Sequence, residues 1–343
     1  MSKETLDWLN RNTLIGFTDK RGNAWHYRAS RQGDTPNHYP GAIPVDDVCR
    51  RLFDWEAVPS RVYVDNPVTG QREAVPHKKA MLRSDTGHTL GIFCESWQPH
   101  PYKEWLINRV GRLLDTSDLA IGSAGLLRNG AVAWVSLELA ETIGTKEGVD
   151  FRPNLMAATA FNGDLSSTYK RHVTAIVCDN TMATALNEAG QTVKFPHRGD
   201  PDAFPVIDRL RTALDIVYAT ADDFSQEVAR LCAVHVSDYQ WNEFLKAHAP
   251  IPAEKGRART NAERKQDTLR ELWSRDPRVS PWRNTAFGVA QATNTYEHHH
   301  KTVRGASRPE RNMLRAVSEG LHSLHTDTLT VLGNVMDRSL LPA

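Results

Sequence analysis

Three tight-turn sequences, each between β-prone runs, constrain the fold of this chain most strongly. Asp85-Thr86-Gly87 lies between HKKAMLRS and HTLGIFCES, and Asn129-Gly130 lies between LAIGSAGLLR and AVAWVSLELA. A third turn is indicated at Asn162-Gly163 or slightly beyond it. Strands joined by such turns are antiparallel. The sequence therefore predicts an α+β fold, with an antiparallel sheet built from hairpins and packed helices.

Helical spacing of apolar residues predicts the elements between the hairpins. Residues 44–53 begin at Pro44 and carry an apolar stripe, which indicates a short helix. A second helix is predicted from about Tyr102 to Leu114, and DNTMATALNEAG is typical of a helix capped by Asp179 or Asn180. Hairpins thus precede a helix twice.

The C-terminal part is predicted to be helical. A long amphipathic stripe follows Pro205, and the breaker-rich segment APIPAEKGRARTNAER interrupts the helical pattern. Three further helices are predicted, one ending near Leu272, one over 285–300 and one over 309–335. We therefore expect an α+β core domain over 1–235 and a helical region over 236–343, with a basic linker near 250–265.

The chain lacks the sequence signals of several protein classes. It has no phosphate-binding loop of the G-x-x-x-x-G-K-[ST] type, no G-x-S-x-G elbow and no C-x-x-C pair. The N-terminus has no apolar signal-peptide core, and no run of about 18 apolar residues occurs. We expect a cytoplasmic protein that does not enter the membrane and has no catalytic residue, metal or cofactor.

Charge is distributed unevenly along the chain, whose net charge is +1. Residues 251–315 contain 14 Lys and Arg against 7 Asp and Glu, a net charge of +7, whereas the remainder has a net charge of −6. Such a basic segment is typical of a protein with a polyanionic partner, but selection for solubility also produces it. Charge alone leaves both explanations open.

The motif SSTYKRHV places Lys170, Arg171 and His172 after a serine-rich turn. In a strand, Tyr169 and Arg171 lie on one face and Lys170 and His172 on the other, so the basic groups cannot all lie in the core. Basic side chains bind phosphates, and an exposed tyrosine stacks on unpaired bases. The alternative is the solvated face of an edge strand, where basic residues prevent aggregation.

Two other stretches repeat the basic theme. Arg128 precedes the Asn-Gly turn, and Lys301, Arg304 and Arg308 lie in HHHKTVRGASRPER between predicted helices. The histidines at 298–300 are consecutive, so on a helix they point about 100° apart and do not converge on one metal ion. We interpret this histidine run as a solvated helix end.

Several stretches together resemble a known family. They are DWEAV, RSDTGHTLGIFCESWQPHPYKE, AGLLRNGAVAWV, AFNGDLSSTYKRHVTAIVCDNT and NTAFGVAQATNTYEHHH, in that order. The resemblance is to the phage- and plasmid-like proteins that carry domain of unknown function 932. The stretch AWHYR departs from that family's pattern, because Tyr27 stands where a glycine is expected.

The order of hairpins and a helix is also similar to the β-β-β-α core of phage single-strand annealing proteins and their Rad52-type relatives. That resemblance implies a homo-oligomeric ring or filament that binds single-stranded DNA and anneals complementary strands without ATP during recombination. It further implies a phage exonuclease or a host single-strand-binding protein as a partner, and the bacterial host cytoplasm as the location. The expected DNA contacts are Lys170, Arg171, His172, Tyr169, Arg128, Lys301, Arg304 and Arg308.

Two alternative functions stay open from the sequence. One is a structural or host-interaction protein whose basic patch meets an acidic protein. The other is a metal-dependent nucleic-acid enzyme that uses His26 or His298 with carboxylates.

Overall fold

The computed structural model describes residues 6–21, 36–109, 119–139, 141–175, 180–182, 193–195, 197, 219, 221–304, 308–317 and 320–341. The backbone contacts define two compact units that interleave along the sequence. Unit 1 comprises Met1–Ala140, Asn154–Lys170 and Gly190–Ile216, and unit 2 comprises Glu141–Pro153, Arg171–Ala189 and Val217–Ala343. The expected domain boundary at residue 235 is not one of these limits and stays a prediction.

The strands form antiparallel sheets. They are β1 (Thr13–Ile15), β2 (Ala57–Asp65), β3 (Arg72–Arg83), β4 (Thr89–Cys94), β5 (Leu119–Leu127), β6 (Val132–Leu139), β7 (Ile143–Gly144), β8 (Asp150–Ala160), β9 (Ser167–Ala175), β10 (Asn180–Met182) and β11 (Val193–Phe195). One sheet has the order β1, β5, β6, β8, β9, β10, with β7 beside β8 and β11 beside β9, and the other has the order β2, β3, β4. With helices concentrated in the C-terminal part, this architecture confirms the predicted α+β class.

The turn at Asn129-Gly130 is a hairpin, as predicted. It joins β5 to β6, which pair up to Leu127 and Val132. The φ angles of Arg128, Asn129 and Gly130 are 56°, 55° and 93°, in the left-handed region that Asn and Gly tolerate best. Arg83 of β3 donates a hydrogen bond to the carbonyl of Asn129 at 3.0 Å. The turn is therefore held by a side chain from the three-stranded sheet.

The other two predicted turns are also present. Asp85-Thr86-Gly87 connects β3 to β4, and Gly87 has a φ of 69°. The segment 161–166 connects the neighbouring strands β8 and β9, and Gly163 within it has a φ of 82°. The three hairpin signals were therefore sufficient to locate these strand pairs.

The helices follow the predicted order with two corrections. They are α1 (Leu6–Arg11), α2 (Thr18–Arg21), α3 (Val45–Leu52), a π-helical turn (Lys103–Asn108), α4 (221–232), α5 (Asp238–His248), α6 (Arg257–Arg275), α7 (Ala286–Thr295), a π-helix (Tyr296–His300), α8 (Arg308–Val317) and α9 (Gly320–Val335). The helix predicted from Tyr102 is confirmed up to residue 109, and its continuation lies outside the described residues.

The first correction concerns the helix expected to start at Asp179 or Asn180. Asn180–Met182 is instead the strand β10, which pairs antiparallel with Val173–Ala175 of β9. Backbone pairing with β9 therefore outweighs the local capping signal, and residues 183–192 lie outside the described residues.

The second correction concerns the basic linker expected near 250–265. Helix α6 begins at Arg257, directly after Gly256, so only the short segment 249–256 is non-helical. The basic residues from Arg257 onward belong to a regular helix because no proline or glycine follows Gly256 within it.

A single hydrophobic core holds the helices of unit 2 together. Phe224, Phe287 and Leu332 are almost fully buried in it, and Val149 and Phe151 belong to the same core. The rings of Phe151 and Phe224 lie 4.6 Å apart. Within the described part of the chain, no helix has the length and apolar character needed to span a membrane.

Candidate nucleic-acid interface

A buried carboxylate in unit 2 organises several of the basic residues that the sequence singled out. Glu297 is only 4% exposed, and its two carboxylate oxygens accept hydrogen bonds from the Nζ of Lys301 at 2.8 and 2.9 Å. Arg315 donates to the same carboxylate at 2.9 Å, and Arg311 donates to the Glu297 backbone carbonyl. Burial raises the pKa of Glu297, but Lys301 and Arg315 outweigh burial and hold that pKa below its ordinary value.

Positive charge exceeds negative charge around Glu297. Burial lowers the pKa of Lys265 in α6, and Lys301 adds to this effect while Glu297 opposes it. Burial and the neighbouring Arg315 likewise lower the pKa of Arg311, and Arg308 contributes. We define the Glu297 cluster as Glu297 with Lys265, Lys301, Arg308, Arg311 and Arg315. Of these five cationic side chains, Lys301 and Arg315 pair with the carboxylate and Arg311 donates to the Glu297 backbone carbonyl. Lys265 and Arg308 act on the cluster through their charge.

The cluster includes two of the three C-terminal residues that were expected to contact DNA. Lys301 retains 41% of its side-chain exposure, Arg304 is exposed and Arg308 is half-buried at the start of α8. Within the described residues, nothing accepts a hydrogen bond from the buried Nε of Arg308. Arg308, Arg311 and Arg315 are spaced by three and four residues, so they lie along one face of α8. That spacing was the available signal for Arg315, which sequence reasoning missed.

Tyr169 is not the exposed aromatic residue that the sequence suggested. Its side chain is 4% exposed, its ring lies 5.7 Å from that of Trp105, and its hydroxyl donates to the Trp105 carbonyl at 3.4 Å. Burial also raises the pKa of its hydroxyl. Strand alternation separates two faces but does not tell which of them is covered, and here residues 102–109 cover the face of Tyr169. Its expected contact with a base is therefore wrong.

The remaining predicted contacts lie in and beside the hairpin strands. Lys170 is half-buried in β9, and Arg128 is half-buried at the start of the β5–β6 turn. The backbone of Arg171 and His172 continues β9, whereas their side chains lie outside the described residues. The assignment of these four residues to DNA binding stays a prediction.

A stack of rings runs through unit 1, and sequence reasoning did not find it. The rings of Phe93 and Trp97 are parallel with centroids 3.9 Å apart, and His197 lies 4.9 Å from Trp97. His100 lies 4.3 Å from His197 and 4.5 Å from Trp105. We call these five rings the ring stack. The dense aromatic spacing of ESWQPHPYKEW was its only signal in the sequence.

The serine-rich start of β9 is turned inward beside this stack. The Oγ of Ser167 lies 2.6 Å from the Nδ1 of His100 and 2.6 Å from the Oγ1 of Thr159, and all three residues are buried. Burial, and then the charge of His197, lower the pKa of His100 to about 4. His100 is therefore neutral at neutral pH. The Ser167 hydroxyl is hydrogen-bonded to buried side chains and does not contact a phosphate.

A family model covers the region that contains both features. The model described as domain of unknown function (DUF932) matches residues 89–318, about two thirds of the chain. The chain belongs to the DUF932 family. No curated protein and no solved structure matches it significantly. The DUF932 region includes the whole ring stack and the whole Glu297 cluster, whereas β2 and β3 precede it. The similarity to annealing proteins stays a prediction.

The histidine run of the DUF932 region is only partly the solvated helix end that we expected. His300 is exposed, but His298 is 4% exposed and its Nδ1 lies 3.1 Å from the Asn294 carbonyl. Asn312 of α8 donates to the His298 carbonyl, so α8 covers this helix end. Burial, and then His299, lower the pKa of His298 to about 3. No group of three or more His, Cys, Asp or Glu residues in the described ranges has the arrangement of a metal site.

Proposed function

We propose that this DUF932 protein binds single-stranded DNA through the Glu297 cluster and anneals complementary strands without ATP. Arg304, Lys170, Arg171, His172 and Arg128 extend the contacts with the DNA backbone. The activity serves phage- or plasmid-type homologous recombination in the cytoplasm of a bacterial host. The protein acts as a homo-oligomeric ring or filament, with a phage exonuclease or a host single-strand-binding protein as its partner.

The observation that carries this proposal is the surplus of fixed positive charge around one buried carboxylate. Glu297 neutralises one of five cations and holds Lys301, Arg311 and Arg315 in place by hydrogen bonds. Side chains that are already ordered lose less entropy when they bind phosphates. A cluster of this kind contacts the DNA backbone and reads no base, which is what an annealing protein requires because its substrate sequence is arbitrary.

The decisive experiment follows the pairing of two complementary oligonucleotides by energy transfer, at low and high salt and without nucleotide. Accelerated pairing that weakens with salt supports the proposal. The absence of both binding and acceleration at low salt would overturn it. Loss of strands in magnesium or manganese, stopped by a chelator, would instead identify the metal-dependent enzyme.

The double variant Arg304→Ala with Arg308→Ala tests the assigned contacts. Neither side chain pairs with the Glu297 carboxylate, so we expect the fold to be retained. Affinity for single strands should fall equally for all sequences, and the slope of log affinity against log salt should become shallower by about 0.7 for each lost phosphate contact. Fluorescence anisotropy over a salt series measures both. The control is Arg338→Ala, an exposed arginine beyond α9. An unchanged slope in the double variant would contradict the assignment.

A structural or host-interaction protein is the second candidate, because the three-stranded sheet exposes apolar side chains. Tyr63, Val64, Val68 and Ile92 are 45%, 51%, 90% and 58% exposed. A partner protein that covers this sheet would bury these side chains. An oligomer with no affinity for DNA at low salt would favour this candidate over the annealing protein.

A further inference from the structure

The hairpin of β2 and β3 extends beyond the rest of the three-stranded sheet. Strand β4 pairs with β3 only from Lys78 to Leu82, whereas β2 and β3 continue to pair up to Asp65 and Arg72. The outer part of the hairpin is therefore a ribbon of two strands, and most of its side chains are exposed. A two-stranded ribbon by itself is only marginally stable in water. We call residues 61–76 the outer ribbon.

The outer edge of β2 offers backbone hydrogen-bonding groups. Within the described residues, β2 pairs with β3 and with no other strand. The N–H of Asn66 donates to the Gln71 carbonyl at 2.8 Å, so Asn66 faces β3. The register shift between Arg61 and Tyr63 takes up extra residues of β3, so β2 itself alternates regularly. Arg61, Tyr63 and Asp65 therefore turn their N–H and carbonyl groups away from β3.

The three outward-facing residues carry opposite charges on either side of a tyrosine. Arg61, Tyr63 and Asp65 are exposed and share one face of β2. In the described ranges, neither Arg61 nor Asp65 forms an ion pair. Val62 and Val64 project to the other face, and Val64 is 51% exposed. The segment RVYVD is thus symmetric about Tyr63 in its apolar residues and opposite in its charges.

This pattern is complementary to itself in an antiparallel pair of two β2 strands. With Tyr63 opposite Tyr63 of a second copy, Arg61 lies opposite Asp65 of that copy, and Val62 lies opposite its Val64. Outward-facing residues then meet outward-facing residues, so each of them donates and accepts a backbone hydrogen bond across the two-fold axis. Opposite charges, and aromatic rings, that face each other across strands stabilise a sheet.

The neighbouring registers lack this complementarity. An axis at Arg61 or at Asp65 places identical charges opposite each other, which destabilises a sheet. An axis at Val62 or at Val64 places Tyr63 opposite a charged residue. Among registers centred within this segment, the one centred at Tyr63 alone pairs the arginine with the aspartate.

We propose that the outer ribbon is a dimerisation arm, which pairs β2 with β2 of a second copy of this chain around an axis at Tyr63. The two three-stranded sheets then form one sheet in the order β4, β3, β2, β2, β3, β4. Pro59 and Pro67 lie opposite each other in this register and have no N–H, so they limit the pairing to residues 60–66. Such two-fold contacts are the commonest in homo-oligomers. The inference does not rest on the proposed function, because the DNA contacts assigned above lie outside the outer ribbon.

Charge reversal tests the pairing directly. Arg61→Asp and Asp65→Arg each replace the attractions on both sides of the axis by repulsions. We expect either variant to need about tenfold or higher protein concentration to self-associate. The double variant restores opposite charges across the axis and should self-associate as the wild type does. An equimolar mixture of the two single variants should also associate more strongly than either alone. Sedimentation velocity without DNA, over a hundredfold range of concentration, measures these effects.

Lys78→Asp is the matched control, because it reverses the charge of an exposed residue of β3, away from the edge of β2. It should leave self-association unchanged, and melting temperatures verify that every variant is folded. An equal effect of Lys78→Asp would indicate a general effect of charge and overturn the placement of the contact. A folded double variant that does not recover, or a wild type that stays monomeric at the highest concentration, would overturn the self-pairing and leave the edge of β2 to a strand of another protein.

A disulfide across the axis provides a second measurement that does not depend on charge. Directly opposite residues of a hydrogen-bonded antiparallel pair have Cα atoms about 5.5 Å apart, within the reach of a disulfide. In a chain whose exposed Cys94 is replaced by serine, Tyr63→Cys should form a covalent dimer under mild oxidation. Val58→Cys, at an exposed position of β2 away from the axis, should not. Absence of the Tyr63→Cys dimer, or equal dimer formation by Val58→Cys, would overturn the register.

Discussion

We expect Glu297→Gln to lower the free energy of unfolding by about 3 kcal/mol. The carboxylate is almost fully buried, and it is the group that Lys301 and Arg315 share. Removing one partner of a buried ion pair leaves the others uncompensated, which costs roughly 3–5 kcal/mol. The lower end of that range applies because Lys301 and Arg315 keep 41% and 29% of their side-chain exposure. Urea unfolding of the two proteins at neutral pH measures the difference.

Glu243→Gln is the matched control for this prediction. Glu243 pairs with Lys246 on the surface of α5, where both side chains are more exposed, so its loss should cost less than about 1 kcal/mol. Added single-stranded DNA should restore part of the stability that Glu297→Gln loses, because phosphates replace the missing negative charge. Equal, small effects of both variants would contradict the role of Glu297 as the centre of the cluster.

The second large effect is expected on acidification. The pKa values of His100 and His298 are lowered from 6.5 to about 4 and about 3, mainly by burial. Between pH 6.5 and these lower values the unfolded chain binds protons that the folded chain does not, so stability falls as the pH falls. The loss at pH 5 is about 2 kcal/mol for each histidine, and it is absent above pH 7. Urea unfolding at pH 7 and pH 5 tests this.

Two measurements assign the acid effect to these residues. In NMR spectra of the folded protein, the imidazole signals of His100 and His298 should not titrate between pH 7 and pH 5. The variant His100→Asn should lose at most about a third of the pH dependence, because burial also lowers the pKa of His248 to about 4 and this histidine contributes as much as His100 and His298 do. The variant His77→Asn, at a side chain that is 89% exposed, should keep the pH dependence. Titration of both buried imidazoles near pH 6.5 in the folded state would contradict the prediction.

The turns of this fold were predictable because their determinants are local. Asn129-Gly130 and Gly87 occupy left-handed backbone conformations that few other residues tolerate, so a short window of sequence suffices to place them. The helix expected at Asn180 shows the opposite case. Its capping signal is also local, but the backbone pairing of Asn180 with Ala175 of β9, only five residues earlier, decides the outcome.

The site was less predictable than the fold because burial depends on distant segments. The motif around Tyr169 correctly indicated a strand, but its covering by residues 102–109 was not encoded in that motif. The Glu297 cluster depends on contacts over 14 and 18 residues in sequence, from Arg311 and Arg315. Charge counting located the basic segment that contains these residues, and only the packing of α8 identified the carboxylate that they share.

The interleaving of the two units has a consequence for synthesis on the ribosome. Val149 and Phe151 belong to the core of unit 2, yet most of that core comes from helices that end with α9. At ribosomal speeds of about 5–20 residues per second, roughly 10–40 s pass between the synthesis of Phe151 and the synthesis of Leu332. During that interval the nascent chain presents apolar surface to chaperones and proteases. Ribosome-arrested chains that stop before α9 should therefore be cut near Phe151, and protection of this site in such chains would contradict that order of events.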